Sequence, residues 1–130
     1  HRIFDQLLAA VQNTASGEDP NVSWLQKGHE YMEIHYAEGI TVERVAAYVG
    51  VDRTYFTKQF RKTYGITPIQ FIQDLKMKEA RRLLEQTSYT LSEIAQSVGY
   101  PDLFSFSKAF KKQLGAAPTR FRYEVRNQIP

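Results

Sequence analysis

One segment of this 130-residue chain occurs twice. TVERVAAYVGVDRTYFTKQFRKTYGITP covers residues 41–68, and TLSEIAQSVGYPDLFSFSKAFKKQLGAAP covers residues 90–118. Matched positions are 49 residues apart before a shared turn and 50 apart after it, because GYPD in the second copy replaces GVD in the first. Such a repeat indicates two copies of one supersecondary unit. We therefore expect two structurally equivalent subdomains.

Each copy has the spacing of a helix-turn-helix. A short helix carries a small residue where a second helix crosses it, and a glycine follows four residues later, where the turn needs a positive φ. An apolar residue then fills the turn, and an aspartate opens a longer helix that buries two phenylalanines. These positions are Ala46, Gly50, Val51, Asp52, Phe56 and Phe60 in the first copy, and Ala95, Gly99, Tyr100, Asp102, Phe106 and Phe110 in the second. A generic αα-hairpin in a bundle is the alternative, but the spacing recurs in register and favours the DNA-binding form.

Nearly all local signals are helical, and no stretch alternates polar and apolar residues with period two. The predicted fold is all-α, with two helix-turn-helix subdomains joined by a long central helix, about seven helices in total, and an extra N-terminal helix. Capping and breaker residues predict a helix at 2–14 and a second helix that opens with a capping box at Ser23 and ends at Gly39. Further helices are predicted at 42–49, 53–64, 67–86, 91–98, 103–114 and 118–126. The predicted division is 1–20 (N-terminal helix and linker), 21–75 (first subdomain) and 76–130 (second subdomain).

The central helix has a strong start, since Thr67 can cap it, Pro68 fits its first position and Gln70 completes a capping box. No breaker follows before residue 86. We predict that its buried face consists of Ile69, Ile72, Leu75, Ala80, Leu83 and Leu84. A helix of this length spans about 30 Å, close to the ~34 Å that separate successive major grooves on one side of B-DNA. A rod of that length can hold two recognition helices one groove apart.

The charge is distributed unevenly along the chain. Residues 1–40 carry two basic and six acidic side chains, whereas residues 41–130 carry fifteen basic and eight acidic ones. A basic lobe indicates a polyanionic partner, most often nucleic acid, and a solvated basic surface is the alternative. Cysteine is absent, which excludes disulfides and thiolate metal sites and is compatible with the cytoplasm.

These residues carry a family resemblance. The first copy, YFTKQFRKTYGITPIQFI, and the second, EIAQSVGYPDLFSFSKAFKKQLGAAPTRFR, resemble the DNA-binding domain of the AraC-type transcription regulators over about residues 24–123. The resemblance implies a bacterial, cytoplasmic, sequence-specific regulator of promoters that binds double-stranded DNA, of the activator kind, with RNA polymerase as a second partner. Full-length members usually carry a separate effector-binding or dimerisation domain, which we expect to precede His1, although some consist of this domain alone.

The resemblance also implies site residues. Phe56 and Phe60 fix the inward face of the second helix, so positions one, two, five and six after the aspartate cap face outward, and in the family these positions contact bases. They are Arg53, Thr54, Thr57 and Lys58 in the first copy, and Leu103, Phe104, Ser107 and Lys108 in the second. Arginine and lysine suit guanine, and threonine suits a base edge or a thymine methyl. Leu103 and Phe104 suit thymine methyls or are partly buried, so we expect the first copy to supply most of the specificity.

A second set of residues suits phosphate contacts. It lies one turn further along each helix, or at a helix start where hydroxyls and N–H groups meet phosphate oxygens. The set comprises Arg61, Lys62, Thr67, Lys111, Lys112, Thr119 and Arg120. For any single lysine, a solvated charge remains the alternative.

Other classes of function are less well supported by the sequence. His1, His29 and His35 do not combine with nucleophiles or carboxylates into a catalytic set, and no phosphate-binding glycine loop appears. We predict no enzyme activity, no metal or other cofactor, and no membrane contact. A helical protein-interaction adaptor with a basic face is the alternative function. The helix at 2–14 is interpreted as the tail of a missing domain or as a dimerisation helix, and the oligomeric state stays open.

Overall fold

The computed structural model describes residues 20–127, with side chains from Ser23 onward. Within that range the chain forms seven α-helices, one short 3-10 helix and no strand. The helices are α1 (Pro20–His35), the 3-10 helix (Tyr36–Glu38), α2 (Val42–Val49), α3 (Arg53–Tyr64), α4 (Pro68–Gln86), α5 (Leu91–Ser97), α6 (Leu103–Leu114) and α7 (Pro118–Asn127). The all-α prediction is confirmed, and the predicted helix at 2–14 lies outside the described residues.

Helix caps set most of these boundaries. The Asp52 carboxylate accepts hydrogen bonds from the backbone N–H groups of Thr54 and Tyr55 at 2.9 and 3.3 Å, and Asp102 accepts one from Ser105 at 2.7 Å. Helices α4 and α5 begin with complete capping boxes, formed by Thr67 with Gln70 and by Thr90 with Glu93. These caps satisfy N–H groups that have no partner inside their helix, so the helices begin where the sequence predicts.

The start of α1 is a correction. We predicted a capping box at Ser23, but α1 is already helical at Pro20, so Ser23 lies inside the helix. A proline fits the first turn of a helix because its missing N–H has no intrahelical acceptor there. That signal outweighs the Ser23–Gln26 pattern.

Both helix-turn-helix turns close in the same way. The N–H of Val51 donates to the carbonyl of Ala46 at 3.0 Å, and the N–H of Tyr100 donates to that of Ala95 at 2.9 Å. Gly50 and Gly99 have φ of 81° and 91°, the left-handed conformation that this C-terminal motif requires. The predicted glycine turns are confirmed in both copies.

Two hydrophobic cores lie along α4. The first buries nine residues from α1 to the start of α4: Leu25, Met32, Ile40, Val42, Val45, Ala46, Phe56, Phe60 and Ile72. The second buries nine from the rest of α4 to α6: Met77, Ala80, Leu83, Leu84, Ile94, Ala95, Val98, Phe106 and Phe110. The paired phenylalanine rings of α3 and of α6 are each 5.7 Å apart. Helix α4 therefore contributes to both cores.

The buried face of α4 differs from the predicted single stripe. Ile69 is 54% exposed, whereas Met77, absent from the prediction, is 2% exposed. Met77 follows Ile72 by five positions, about 140° around a helix of ~100° per residue. The buried face rotates between the two cores, because α4 meets them on different sides. A prediction that assumes one continuous stripe cannot detect this rotation.

Gly28 tests how closely α1 packs on α3. A Cβ at this position would lie 2.7 Å from Cε1 of Phe56, a ring that is fully buried. We expect Gly28→Ala to lower the free energy of unfolding by about 1–3 kcal/mol through overpacking, although alanine favours helix formation. Urea denaturation measures the change, with Ser23→Ala on the exposed side of α1 as the control. A Gly28→Ala protein at least as stable as wild type contradicts the packing.

Candidate nucleic-acid interface

The outward face of α3 is fixed by its buried face. Phe56 and Phe60 are fully buried in the first core, so the helical positions between and beside them face away from it. Arg53, Thr54 and Lys58 are exposed, and Thr57 is half-buried. Thr54, Thr57 and Lys58 therefore lie on the sides of α3 away from the core, whereas Arg53, three residues before Phe56, is exposed because it is the first residue of the helix.

The same face forms one open depression of about 810 Å³. We call it the α3 groove. It is lined by Arg53, Thr54, Thr57, Lys58, Arg61, Lys62 and Thr67. These are the four base-contacting and three phosphate-contacting residues that the sequence predicted for the first copy, and the fold brings them together on one continuous surface.

The α3 groove is basic. Among the described residues, Arg53 lies 3.8 Å from the Glu43 carboxylate, and no carboxylate lies within 4.0 Å of Lys58, Arg61 or Lys62. Arg61 and Lys62 are in the last turn of α3, where a cation also interacts favourably with the helix dipole. The groove thus carries positive charge that an anionic ligand can neutralise.

Thr67 has a structural role at the edge of the groove. Its hydroxyl oxygen accepts a hydrogen bond from the N–H of Gln70 at 3.2 Å and lies 3.2 Å from the Gln70 side-chain oxygen, to which it donates. The hydroxyl is therefore engaged in the cap of α4. Thr67 thus holds the N-terminus of α4 in place at the edge of the α3 groove, and its predicted phosphate contact stays a prediction.

The second copy presents a more apolar surface. Leu103 is 37% exposed, and Phe104, at 76%, is the most exposed large apolar side chain in the described part of the chain. Ser107 is half-buried and Lys108 is exposed. Hydrogen bonds from Ser105 lower the pKa of the Asp102 carboxyl. The Asp102 carboxylate therefore stays ionised at neutral pH and caps the start of α6. Phe104 is thus available to an apolar group at the start of α6.

The phosphate-contacting residues predicted for the second copy are all exposed. Lys111 and Lys112 lie in the last turn of α6, as Arg61 and Lys62 do in α3. Thr119 lies in the first turn of α7. Arg120 lies 3.6 Å from Glu124, and this exposed pair must loosen before Arg120 can bind another anion. Such pairs are weak, about 0–1 kcal/mol.

The two helix-turn-helix units and the long helix between them match a known protein family. A family profile described as "Helix-turn-helix domain" matches residues 45–124, which include the first copy of the repeat apart from residues 41–44, the whole of α4 and the whole second copy. The chain belongs to the AraC-type helix-turn-helix family. The resemblance inferred from the repeated motifs is therefore confirmed.

The curated relatives of this AraC-type chain are bacterial regulatory proteins. It is 34% identical over 98 residues to the MmsAB operon regulatory protein of Pseudomonas aeruginosa, covering 75% of this chain and 32% of that protein. It is 36% identical over 111 residues to the xylose operon regulatory protein of Escherichia coli, covering 85% of this chain and 27% of that one. The chain thus spans about a third or less of the length of these two relatives.

Solved structures share the fold. The C-terminal domain of AraT, a response regulator from Geobacillus stearothermophilus, superposes with a TM-score of 0.76 at 30% identity, over 82% of this chain and 86% of that one. The DNA-binding domain of AdpA, solved in complex with a target DNA, gives 0.77 at 29% identity, over 82% and 96% of the two chains. Between residues 20 and 127, no helix of this AraC-type chain is long and apolar enough to span a membrane.

Arg122 is a residue that the sequence analysis missed. Its guanidinium donates to the carbonyls of Tyr89 at 2.6 Å, Thr87 at 3.2 Å and Leu84 at 3.3 Å, which follow or end α4. Burial, followed by the nearby charge of Arg126, lowers its pKa. Arg122 therefore ties α7 to the C-terminal end of α4. Its position in the signature ending PTRFR was the only sequence signal.

Replacing Arg122 tests whether its hydrogen bonds to the carbonyls at the C-terminal end of α4 stabilise the fold. We expect Arg122→Gln to lower the free energy of unfolding by about 2–3 kcal/mol, because part-buried carbonyls lose their charged donor. Thermal and urea denaturation measure the loss. Arg120→Gln, two residues earlier and exposed, is the matched control and should change stability by less than about 0.5 kcal/mol. Equal effects of the two substitutions would remove the capping role.

Proposed function

We propose that this chain is the DNA-binding part of a sequence-specific transcription regulator, and that it inserts α3 and α6 into successive major grooves of one duplex. The observation that carries the proposal is the α3 groove, because all seven residues selected for base and phosphate contact in the first copy line it. Family membership and the likeness to a domain solved with its target DNA support the same function.

The length of α4 supports the two-groove geometry. It runs without a break over 19 residues, from Pro68 to Gln86, which is about 28 Å at 1.5 Å per residue. Successive major grooves on one side of B-DNA are ~34 Å apart. Each half of α4 belongs to one core, so we propose that 21–75 and 76–130 act as two lobes on one rod.

The first lobe is proposed to read bases through polar contacts. Arg53 and Lys58 can donate to guanine O6 and N7, and Thr54 and Thr57 can bond to base edges or pack on a thymine methyl. To bind a base, the Arg53 guanidinium must leave its exposed ion pair with Glu43. Because carboxylates accept from cytosine N4, Glu43 then stays close enough to the duplex to influence the choice of base.

The second lobe is proposed to read bases through apolar contacts. Phe104 and Leu103 project from the first turn of α6, where thymine methyl groups offer the matching apolar surface of the major groove. Ser107 and Lys108 supply polar contacts one turn later. Two lobes with different chemistry mean that the preferred site need not be a palindrome.

The wider role of the complete protein is also a proposal. The lactose operon transcription activator of Staphylococcus xylosus is 33% identical over 106 residues, covering 80% of this chain and 38% of that protein. By analogy, we infer a cytoplasmic bacterial activator that also contacts RNA polymerase. An effector-binding or dimerisation domain is proposed to accompany this chain in the complete protein.

Replacing the exposed residues of α3 and of α6 separately tests how much each lobe contributes to sequence specificity. We expect Thr54→Ala, Thr57→Ala and Lys58→Ala together to reduce discrimination between the selected duplex and random duplexes at least about tenfold, since each lost base contact is worth about 1–3 kcal/mol. Replacing Leu103, Phe104, Ser107 and Lys108 by alanine should reduce it less. Selection from random duplexes followed by competition binding measures both. A larger loss from the second set contradicts the assignment.

Salt dependence tests the phosphate contacts. We expect Lys62→Ala or Lys112→Ala to weaken binding to all duplexes alike and to flatten the slope of log affinity against log salt by about one unit, because one fewer counterion is released. Lys78→Ala, on an exposed part of α4 outside the proposed interface, is the control and should keep the slope. A wild-type protein whose weak DNA binding is insensitive to salt would instead favour the adaptor function.

A further inference from the structure

The two glycines of the helix-turn-helix turns differ in their surroundings. Both have positive φ and occupy matched positions in the repeat. At Gly50, a Cβ atom would meet nothing within 4 Å. At Gly99, it would lie 2.8 Å from the carbonyl oxygen of Ala37 and 3.1 Å from the carbonyl carbon. Turn geometry explains both glycines, but it does not explain why Gly99 lies against another part of the backbone.

The neighbour of Gly99 belongs to the other lobe. Ala37 lies in the 3-10 helix that follows α1, and both of these helices contribute residues to the first core. Gly99 lies between α5 and α6, which belong to the second core. A contact between these two backbones has little freedom to adjust, because neither side is a flexible side chain. We call this contact the lobe seat.

Side chains around the lobe seat hold both partners on α4. Tyr36, next to Ala37, is half-buried close to Glu79 and Arg82, and burial followed by the charge of Glu79 raises its pKa. Tyr100, next to Gly99, lies under the ammonium group of Lys76, with Nζ 4.8 Å from the ring centroid. The 3-10 helix of the first lobe thus packs on the half of α4 that serves the second core.

We propose that Gly99 is a positioning residue: by letting the second turn lie against the Ala37 carbonyl, it fixes the orientation of the second lobe on α4 and thereby the distance between α3 and α6. The inference rests on the proposed function for its consequence in DNA binding, but the seat itself is a property of the free protein. Helix α4 sets the overall length between the lobes. The lobe seat sets how the second lobe is oriented on that length.

The absence of cysteine allows a direct test on the free chain. Spin labels on Lys58→Cys and Lys108→Cys, exposed and matched positions of the repeat, report the distance between α3 and α6. We expect one narrow distribution for the otherwise unmodified protein and for Gly50→Ala. Gly99→Ala should broaden or shift the distribution, because the added methyl group unseats the turn. Equal distributions for Gly50→Ala and Gly99→Ala, with both proteins folded by circular dichroism, would overturn the proposal.

A second pair of variants keeps the test decisive if Gly99→Ala does not fold. Tyr36→Ala loosens the same seat from the first lobe without a clash, and it should also broaden the distribution. Tyr31→Ala removes a half-buried tyrosine that packs on Tyr48 within the first lobe, and it should leave the distribution narrow. A narrow distribution for Tyr36→Ala overturns the proposal when Gly99→Ala gives no folded protein.

The consequence for DNA is measured without the labels. Wild type and Gly50→Ala should lose affinity at least about tenfold when five base pairs are inserted between the two half-sites, because half a helical turn moves one groove to the opposite side. Gly99→Ala should show a smaller penalty for the insertion. If wild type shows no penalty while the labels still separate Gly99→Ala from Gly50→Ala, the two-groove function fails and the lobe seat stands. If wild type shows the penalty and the labels do not separate them, the lobe seat fails.

Discussion

The burial of two phenylalanines on one face of each recognition helix is the constraint on which the rest of the structure depends. Phe56 and Phe60 in α3, and Phe106 and Phe110 in α6, are fully buried. Four residues make slightly more than one helical turn, so each pair anchors one side of its helix and leaves the opposite side to solvent. The α3 groove exists because Thr54, Thr57 and Lys58 face away from the core and Arg53 is exposed at the first residue of the helix.

The same framework carries two different surfaces. The caps, the positive-φ glycines and the phenylalanine spacing recur in both copies. The exposed positions differ: those of α3 are polar, whereas α6 exposes the apolar side chain of Phe104. A fold built from a repeat keeps the residues that pack and is free to vary those that face outward, because exposed substitutions cost little stability. One chain thereby presents two recognition helices with chemically different exposed faces.

Much of this was accessible from the sequence, and the misses have physical reasons. Capping residues and breakers are local signals, so the helix bounds from residue 42 onward were predicted to within about a residue or two. Ile69 and Met77 were misjudged because burial on α4 depends on where each core lies around it. Arg122 was missed because its carbonyl partners, from Leu83 to Tyr89, lie more than thirty residues away in sequence.

The sequence by itself determined the two helix-turn-helix units, their unequal outer faces and the length of the rod between them, because each depends on contacts between residues near in the chain. Tertiary structure alone decided which side of α4 meets each core, how Arg122 closes the end of that helix, and that Gly99 but not Gly50 lies against a backbone carbonyl. Both glycines satisfy the same local rule for positive φ. Only the packing of one lobe on the other distinguishes them, and that packing brings together residues that no local pattern connects.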